Sequence, residues 1–273
     1  LNKYLLLVIV LLMLRIEVSG QKNDSSIYRF NYWVDIPVTV IGFGYNFYGQ
    51  EKLRQAPRLS PEQYSNLSPQ NVNAFDRSAA KQDPSFANEA HGLSDIALRT
   101  VPALPFFLGF DKEIRNDALN LTLMYLETHA VNTLIYLASA QNIKRNRPFV
   151  YNPDEIEERK SGPKSRDSFY SGHVSVVTSS SFFMCKVFLD YHPELRNKKF
   201  LLYGLASLPS FYTAYFRYKA GKHFPSDLIV GYLVGASVGI LIPQFHKSKF
   251  YQKTNISMLP FQGGFRTSLS YQF

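Results

Sequence analysis

Apolar residues along this chain fall into a few long runs, separated by polar stretches that prolines punctuate. The first run, Tyr4 to Leu14, follows Lys3 and gives way to Arg15-Ile16-Glu17-Val18-Ser19-Gly20. A short positive start, an apolar centre and small residues near position 20 predict a secretory signal peptide over 1–20. The run is short for a retained membrane span. Trp33 to Phe47 is apolar with Gly42 and Gly44, and its pattern fits a helix or a strand. From Glu51 to His91 the chain is rich in Pro, Ser, Asn and Gln. Pro57, Pro61, Pro69 and Pro84 there predict irregular structure with short helices, one of them opening at Ser60-Pro61-Glu62-Gln63.

Regular helical patterning sets in at Ser94-Asp95 and runs to about Phe110, interrupted by Pro102 and Pro105. Further helices are expected at about 116–141, 172–190, 200–217 and 227–243, with a charged loop over 151–170. Near the end, Gln262-Gly263-Gly264 reads as a hairpin turn. Leu269, Tyr271 and Phe273 then alternate with polar residues as a strand does. One hairpin cannot close a barrel, so an edge hairpin packed on the bundle is the favoured reading of this tail. The expected fold class is all-α. It consists of a helical bundle over 94–243, an irregular extension over 21–93, and a short β-hairpin-like tail within 244–273.

Composition narrows the partners. With 273 residues, 45% of them hydrophobic, the chain supports one sizeable core. A net charge of +9 suits anionic partners such as lipid headgroups or small phosphates. Nucleic acid is disfavoured, because no run of Lys and Arg interleaves with exposed aromatics. The single cysteine, Cys185, sits in an apolar segment and forms no internal disulfide; it reads as a buried small residue. The 227–243 segment is apolar enough to enter a bilayer. The 116–141 segment carries Asn120, Glu127, His129 and Asn132, which suit a bundle interior better than lipid. Glu127 and His129 read as a satisfied polar pair on that helix.

Three short segments carry candidate chemistry: Arg147-Pro148, Ser171-Gly172-His173, and Arg217 with His223 and Asp227. If the last three helices alternate in direction, as short links require, all three segments meet at one end of the bundle. Arginines at such a place hold phosphate oxygens in a forked geometry. Ser171 can cap the helix that starts at Gly172, where exposed N–H groups bind anions and a glycine admits a phosphate closely. Two histidines allow one to attack phosphorus and the other to protonate the departing oxygen, with Asp227 hydrogen-bonded to the attacking ring.

The order and spacing of these segments resemble the type 2 phosphatidic acid phosphatase and vanadium haloperoxidase superfamily, over roughly residues 94–243. That family's pattern is a lysine, six residues, Arg-Pro, then Pro-Ser-Gly-His, then Ser-Arg, five residues, His, three residues, Asp. Arg147-Pro148, Ser171-Gly172-His173, Arg217, His223 and Asp227 fit it, both internal spacings of the last motif included. The resemblance implies His223 as nucleophile, Asp227 as its partner and His173 as general acid. It implies Arg147, Ser171, Gly172 and Arg217 as phosphate-binding, with no metal and no cofactor. The chain departs from the pattern in three places. The lysine position holds Ala140, for which Lys144 is the expected replacement if the helix continues and puts both on one face. Tyr170 stands where proline is usual. Phe216 stands where a small residue is common. The implied activity is hydrolysis of a phosphate monoester or a lipid phosphate or diphosphate through a phosphohistidine. The expected partner is a phosphorylated lipid or small ester, with membrane association. The expected location is the periplasm or the cell-envelope membrane, with the site facing the periplasm. Two other readings stay open: vanadate-dependent halide oxidation, with vanadate as prosthetic group rather than inhibitor, and a non-catalytic envelope protein that keeps the fold.

Overall fold

The computed structural model of the protein describes residues 26–247, 254–261 and 264–271. The expected signal peptide, the turn residues Gln262 and Gly263, and Phe273 lie outside the described residues. The long helices are α1 (Tyr32–Arg54), α2 (Ala87–Thr100), α3 (Ala118–Asn142), α4 (Gly172–Tyr191), α5 (Lys199–Lys219) and α6 (Pro225–Phe245). The all-α bundle is as expected. The tail forms two antiparallel strands, β1 (Thr254–Phe261) and β2 (Gly264–Tyr271), with Phe261 opposite Gly264.

The ambiguous run from Trp33 is helical. Asn31 caps it, its Oδ1 accepting from the Trp33 N–H at 3.1 Å. Two glycines let α1 lie close on α3. A Cβ on Gly42 would stand 2.6 Å from the Ala130 Cβ, and one on Gly49 would stand 2.8 Å from Leu137. In the polar stretch that follows, the short helix Pro61–Tyr64 starts where predicted, and the Ser60 N–H donates to Gln63 Oε1 at 3.0 Å. One boundary needs correcting: α2 begins at Ala87, not Ser94, so the expected division at 93/94 falls inside a helix. Its buried face is Ala87, Ala90, Ser94 and Ala97. Such small side chains give no apolar run for a sequence reading to follow.

Helix α4 sits at the centre, packed by α6, α5 and the 3-10 segment Val101–Phe110. Its contact with α6 is backbone-close. Cβ atoms built on Gly231, Gly235 and Gly239 would stand 2.6, 2.4 and 2.6 Å from the carbonyl oxygens of Ser171, Ser175 and Ser179. Both sets repeat every four residues, so one ridge of each helix faces the other along its length. Small residues at this spacing allow close approach, as between helices in membranes. Gly235→Ala must therefore push α6 off α4. We expect a loss of about 1–3 kcal/mol, the usual cost of overpacking, read as a lower denaturation midpoint.

Glu127 and Asn132 of α3 face inward, as expected, and both are buried. Asn132 Oδ1 accepts from Ser175 Oγ at 2.5 Å, and Ser180 Oγ lies 3.3 Å from His129 Nε2. Glu127 and His129 do not pair with each other; Glu127 meets His246 instead. Their two-residue spacing puts them on different sides of the helix.

Candidate active site

Helix α4 runs away from one end of the bundle, α5 returns to it and α6 leaves again. Arg217 therefore arrives in the last turn of α5, and His223 sits in the link before α6. Gly221, at φ +62°, makes that link tight, a conformation glycine takes without strain. The link is tied to the first motif, because the Phe149 N–H donates to the Gly221 carbonyl at 3.1 Å.

His223 is 2% exposed. Its Nδ1 lies 2.7 Å from the Ser168 carbonyl. A carbonyl only accepts, so Nδ1 carries the proton and Nε2 of the neutral ring carries the lone pair. That Nε2 lies 3.3 Å from Arg217 Nη2, and Arg217 Nη1 lies 3.0 Å from His91 Nδ1. Burial, then the fields of Arg147 and Arg217, hold the His223 pKa well below the ordinary imidazole value. The ring is therefore neutral at neutral pH, with the lone pair on Nε2.

On the other side, His173 in the first turn of α4 lies 2.9 Å through Nε2 from Asp95 Oδ1. His91 and Asp95 lie on one face of α2, with the His91 ring 6.4 Å from that of His173. These three side chains are partly exposed and form the open side of the site, while His223 and Arg217 form its buried floor.

Arg147 is buried, its Nε donating to Asp167 Oδ1 at 3.1 Å and its Nη2 to the Asp167 carbonyl at 3.4 Å. Among the described residues Asp167 Oδ2 and the Tyr170 hydroxyl are buried without a hydrogen-bond partner, and so are Ser171 Oγ and Arg217 Nε. Leaving such a group unmade costs about 1–3 kcal/mol, and the last two are donors that a phosphate oxygen accepts. Ser171 occupies the position before α4, but its side chain caps nothing. At Gly172 a Cβ would stand 3.0 Å from the ring of Tyr136, which is a further reason for a small residue there. Tyr170, in the usual proline position, is buried with its ring edge-on to Tyr136 at 5.9 Å.

Two expectations are corrected. The helical premise on which Lys144 was expected to replace the missing lysine fails. Helix α3 ends at Asn142, Ile143 is extended, and Lys144 is exposed beyond the helix. Ala140 packs with Leu53 and Leu137. Asp227, in turn, does not touch His223. Its Oδ2 accepts from Ser168 Oγ at 2.6 Å and from the Phe224 N–H at 2.9 Å, and its Oδ1 faces Arg145. Its hold on His223 thus runs through Ser168, whose carbonyl positions the ring. Arg145 also bonds Asp76 at 2.7 Å, and Asp76 accepts from the Ser226 hydroxyl at 2.7 Å. This network locks the first motif to the third.

The sequence reading missed His91, Asp95, Asp76 and Arg145. The four-residue spacing of His91 and Asp95 was the available signal, but it straddles a helix start placed too late. Asp76 lies in the irregular stretch, where no periodicity points to a partner.

A bundle with three imidazoles and two guanidinium groups gathered at the mouth of one central helix defines a class of oxyanion-handling site. Residues 121–251 match the family model of the PAP2 superfamily, the family whose motifs this stretch resembles. A solved structure, that of the first transmembrane PAP2 type phosphatidylglycerolphosphate phosphatase from Bacillus subtilis, is similar to this chain at 18% identity. That similarity covers 76% of this chain and 94% of that one, with a TM-score of 0.43.

Proposed function

We propose that this protein is a phosphatase that removes phosphate from a lipid phosphate or a small monoester through a phosphohistidine on His223. One observation carries the reading. His223 has its Nδ1 committed to a carbonyl, and its Nε2 lies beside Arg217 at the floor of the site. In the first step Nε2 attacks phosphorus and the bond to the leaving oxygen breaks. Arg147, Arg217, Ser171 Oγ and the Gly172 N–H at the start of α4 offset the charge on the equatorial oxygens. Asp95 engages Nε2 of His173, so Nδ1 of that ring delivers the proton to the leaving oxygen. Water then attacks the phosphohistidine, and His173 takes its proton.

Lys222 supplies the third cation in place of the residue absent at Ala140. It directly precedes His223, and its Nζ lies 5.7 Å from the centre of the Phe149 ring, beside the Arg147-Pro148 turn. Among the described residues it makes no ion pair. Burial, then Arg147, Arg217 and Arg159, bring its pKa down to about 7, with Asp167 opposing them. A lysine with a lowered pKa is charged below that value and neutral above it. We therefore expect kcat/KM to fall as pH rises through about 7. Lys222→Arg should carry the activity to higher pH, and Lys222→Ala should lower it and flatten that limb. If both variants keep the wild-type profile, Lys222 plays no part.

Membrane association follows from three segments long and apolar enough to cross a bilayer, Pro84–Phe110, Gly172–Tyr191 and Pro225–Phe245. Large exposed apolar residues on the bundle's outside, among them Phe200, Leu205 and Phe211 of α5 and Leu233 of α6, suit lipid better than water. Export, with the site facing the periplasm, is part of this reading. The test is phosphate release across lipid and soluble phosphates, with orthovanadate as a competitor. Lipid phosphates should be preferred and vanadate should inhibit. Release from no substrate would refute the activity, and equal rates on soluble esters without detergent would refute the lipid preference.

A further inference from the structure

Far from His223, three buried side chains from separate parts of the chain meet. They are Asp35 in the first turn of α1, Glu127 within α3 and His246 just after α6. Helix α6 starts beside His223 and rises by about 1.5 Å per residue, so its 21 residues put His246 roughly 30 Å from the catalytic end. His246 Nε2 lies 3.1 Å from Asp35 Oδ2 and 3.1 Å from Glu127 Oε2. All three ligand atoms lie within 4.8 Å of one another.

The other ring nitrogen, Nδ1, lies 2.8 Å from the Ile242 carbonyl. A carbonyl only accepts, so Nδ1 carries a proton and Nε2 is turned to the two carboxylates. A proton on Nε2 could serve only one of them. The hydrogen bond goes to Asp35, and Glu127 Oε2 stays buried without one. A carboxylate oxygen on a residue only 6% exposed, held by that one ion-pair contact and no hydrogen bond, is under-satisfied.

We infer that Asp35, Glu127 and His246 form a binding site for a divalent cation, with zinc the best fit. Zinc bonds of about 2.0–2.1 Å to nitrogen and oxygen put tetrahedral ligands roughly 3.3 Å apart. Both measured edges at His246 lie within a few tenths of that. A metal-bound imidazole regularly donates its other N–H to a carbonyl, as Nδ1 does here. The ion would replace the Nε2 proton and give Glu127 Oε2 a partner. Two carboxylates, a neutral imidazole and a divalent ion also sum to zero charge, whereas the same three side chains with an imidazolium sum to one negative charge. The ring of Phe30 stacks on His246 at 5.8 Å and shields it from water. The site would pin α1, α3 and the end of α6 together, joining residues 211 apart in sequence.

The test uses the full chain purified in detergent, treated with a strong chelator and then titrated with zinc or magnesium alone. We expect about one zinc retained per chain after dialysis, a rise in melting temperature with zinc and none with magnesium. Glu127→Gln keeps the side chain's shape and should weaken zinc binding by at least about 100-fold, because it removes a ligand rather than an outer-shell partner. Phosphate release measured beside it keeps the fold and the catalytic end under check. Two results would overturn the site: no zinc retained by the wild-type chain with an unmoved melting temperature, or equal zinc affinity in Glu127→Gln.

Discussion

Replacing His223 with alanine should lower kcat for phosphate release by at least about 10⁴-fold, because no other group at the floor of the site can form the covalent intermediate. Substrate binding should survive, since Arg147, Arg217 and Ser171 are left in place. The variant also removes the donor to the Ser168 carbonyl, which costs about 1 kcal/mol of stability. His223→Asn separates the two effects. Its amide can still donate to that carbonyl but offers no nucleophile, so its melting temperature should stay near wild type while its activity is lost. Stopped turnover in both variants with an intact melt for the asparagine is the expected pattern. Substantial turnover in either one would remove His223 from the chemistry.

The second large effect concerns His173. Loss of a general acid costs about 10²–10⁴-fold, and the size should depend on the leaving group. An alkoxide leaving from a lipid phosphate needs the proton; a nitrophenolate does not. His173→Ala should therefore be severely impaired on lipid phosphates and far less so on aryl phosphates in the first step. The phosphoenzyme should then persist, because His173 also serves as base in its hydrolysis. Asp95→Asn should fall in between, since it leaves the ring in place but removes the charge that stabilises its protonated form. Equal losses on both substrate types would point to a binding role for His173 instead.

Much of the bundle was legible because its helices are long, apolar and separated by prolines or charged loops. Helix α3 and helices α4 to α6 lie within a few residues of where periodicity puts them. Helix α2 was not legible. Its buried face is alanine and serine, so His91 and Asp95 fell on opposite sides of a misplaced start. The convergence of Arg147, His173, Arg217 and His223 followed from connectivity and spacing alone. Side-chain partners did not. Asp227 sits four residues past His223, as expected, yet spends its oxygens on Arg145, Ser168 and the start of α6. Lys144 failed because helix α3 stops two residues short of it, and chain termination by an extended residue such as Ile143 leaves no sequence signature. The glycine ridge of α6 takes its meaning from the serine carbonyls it faces, which only the packing reveals.

The central claim is that phosphate passes through Nε2 of His223. Rapid acid-free quenching of His173→Ala during turnover of a radiolabelled aryl phosphate tests it most directly. The account predicts label bound to the peptide that contains residue 223, stable to base, released by acid, and missing when His223 is also replaced. Steady product release with no protein-bound label at any time, or label on a different residue, would contradict it.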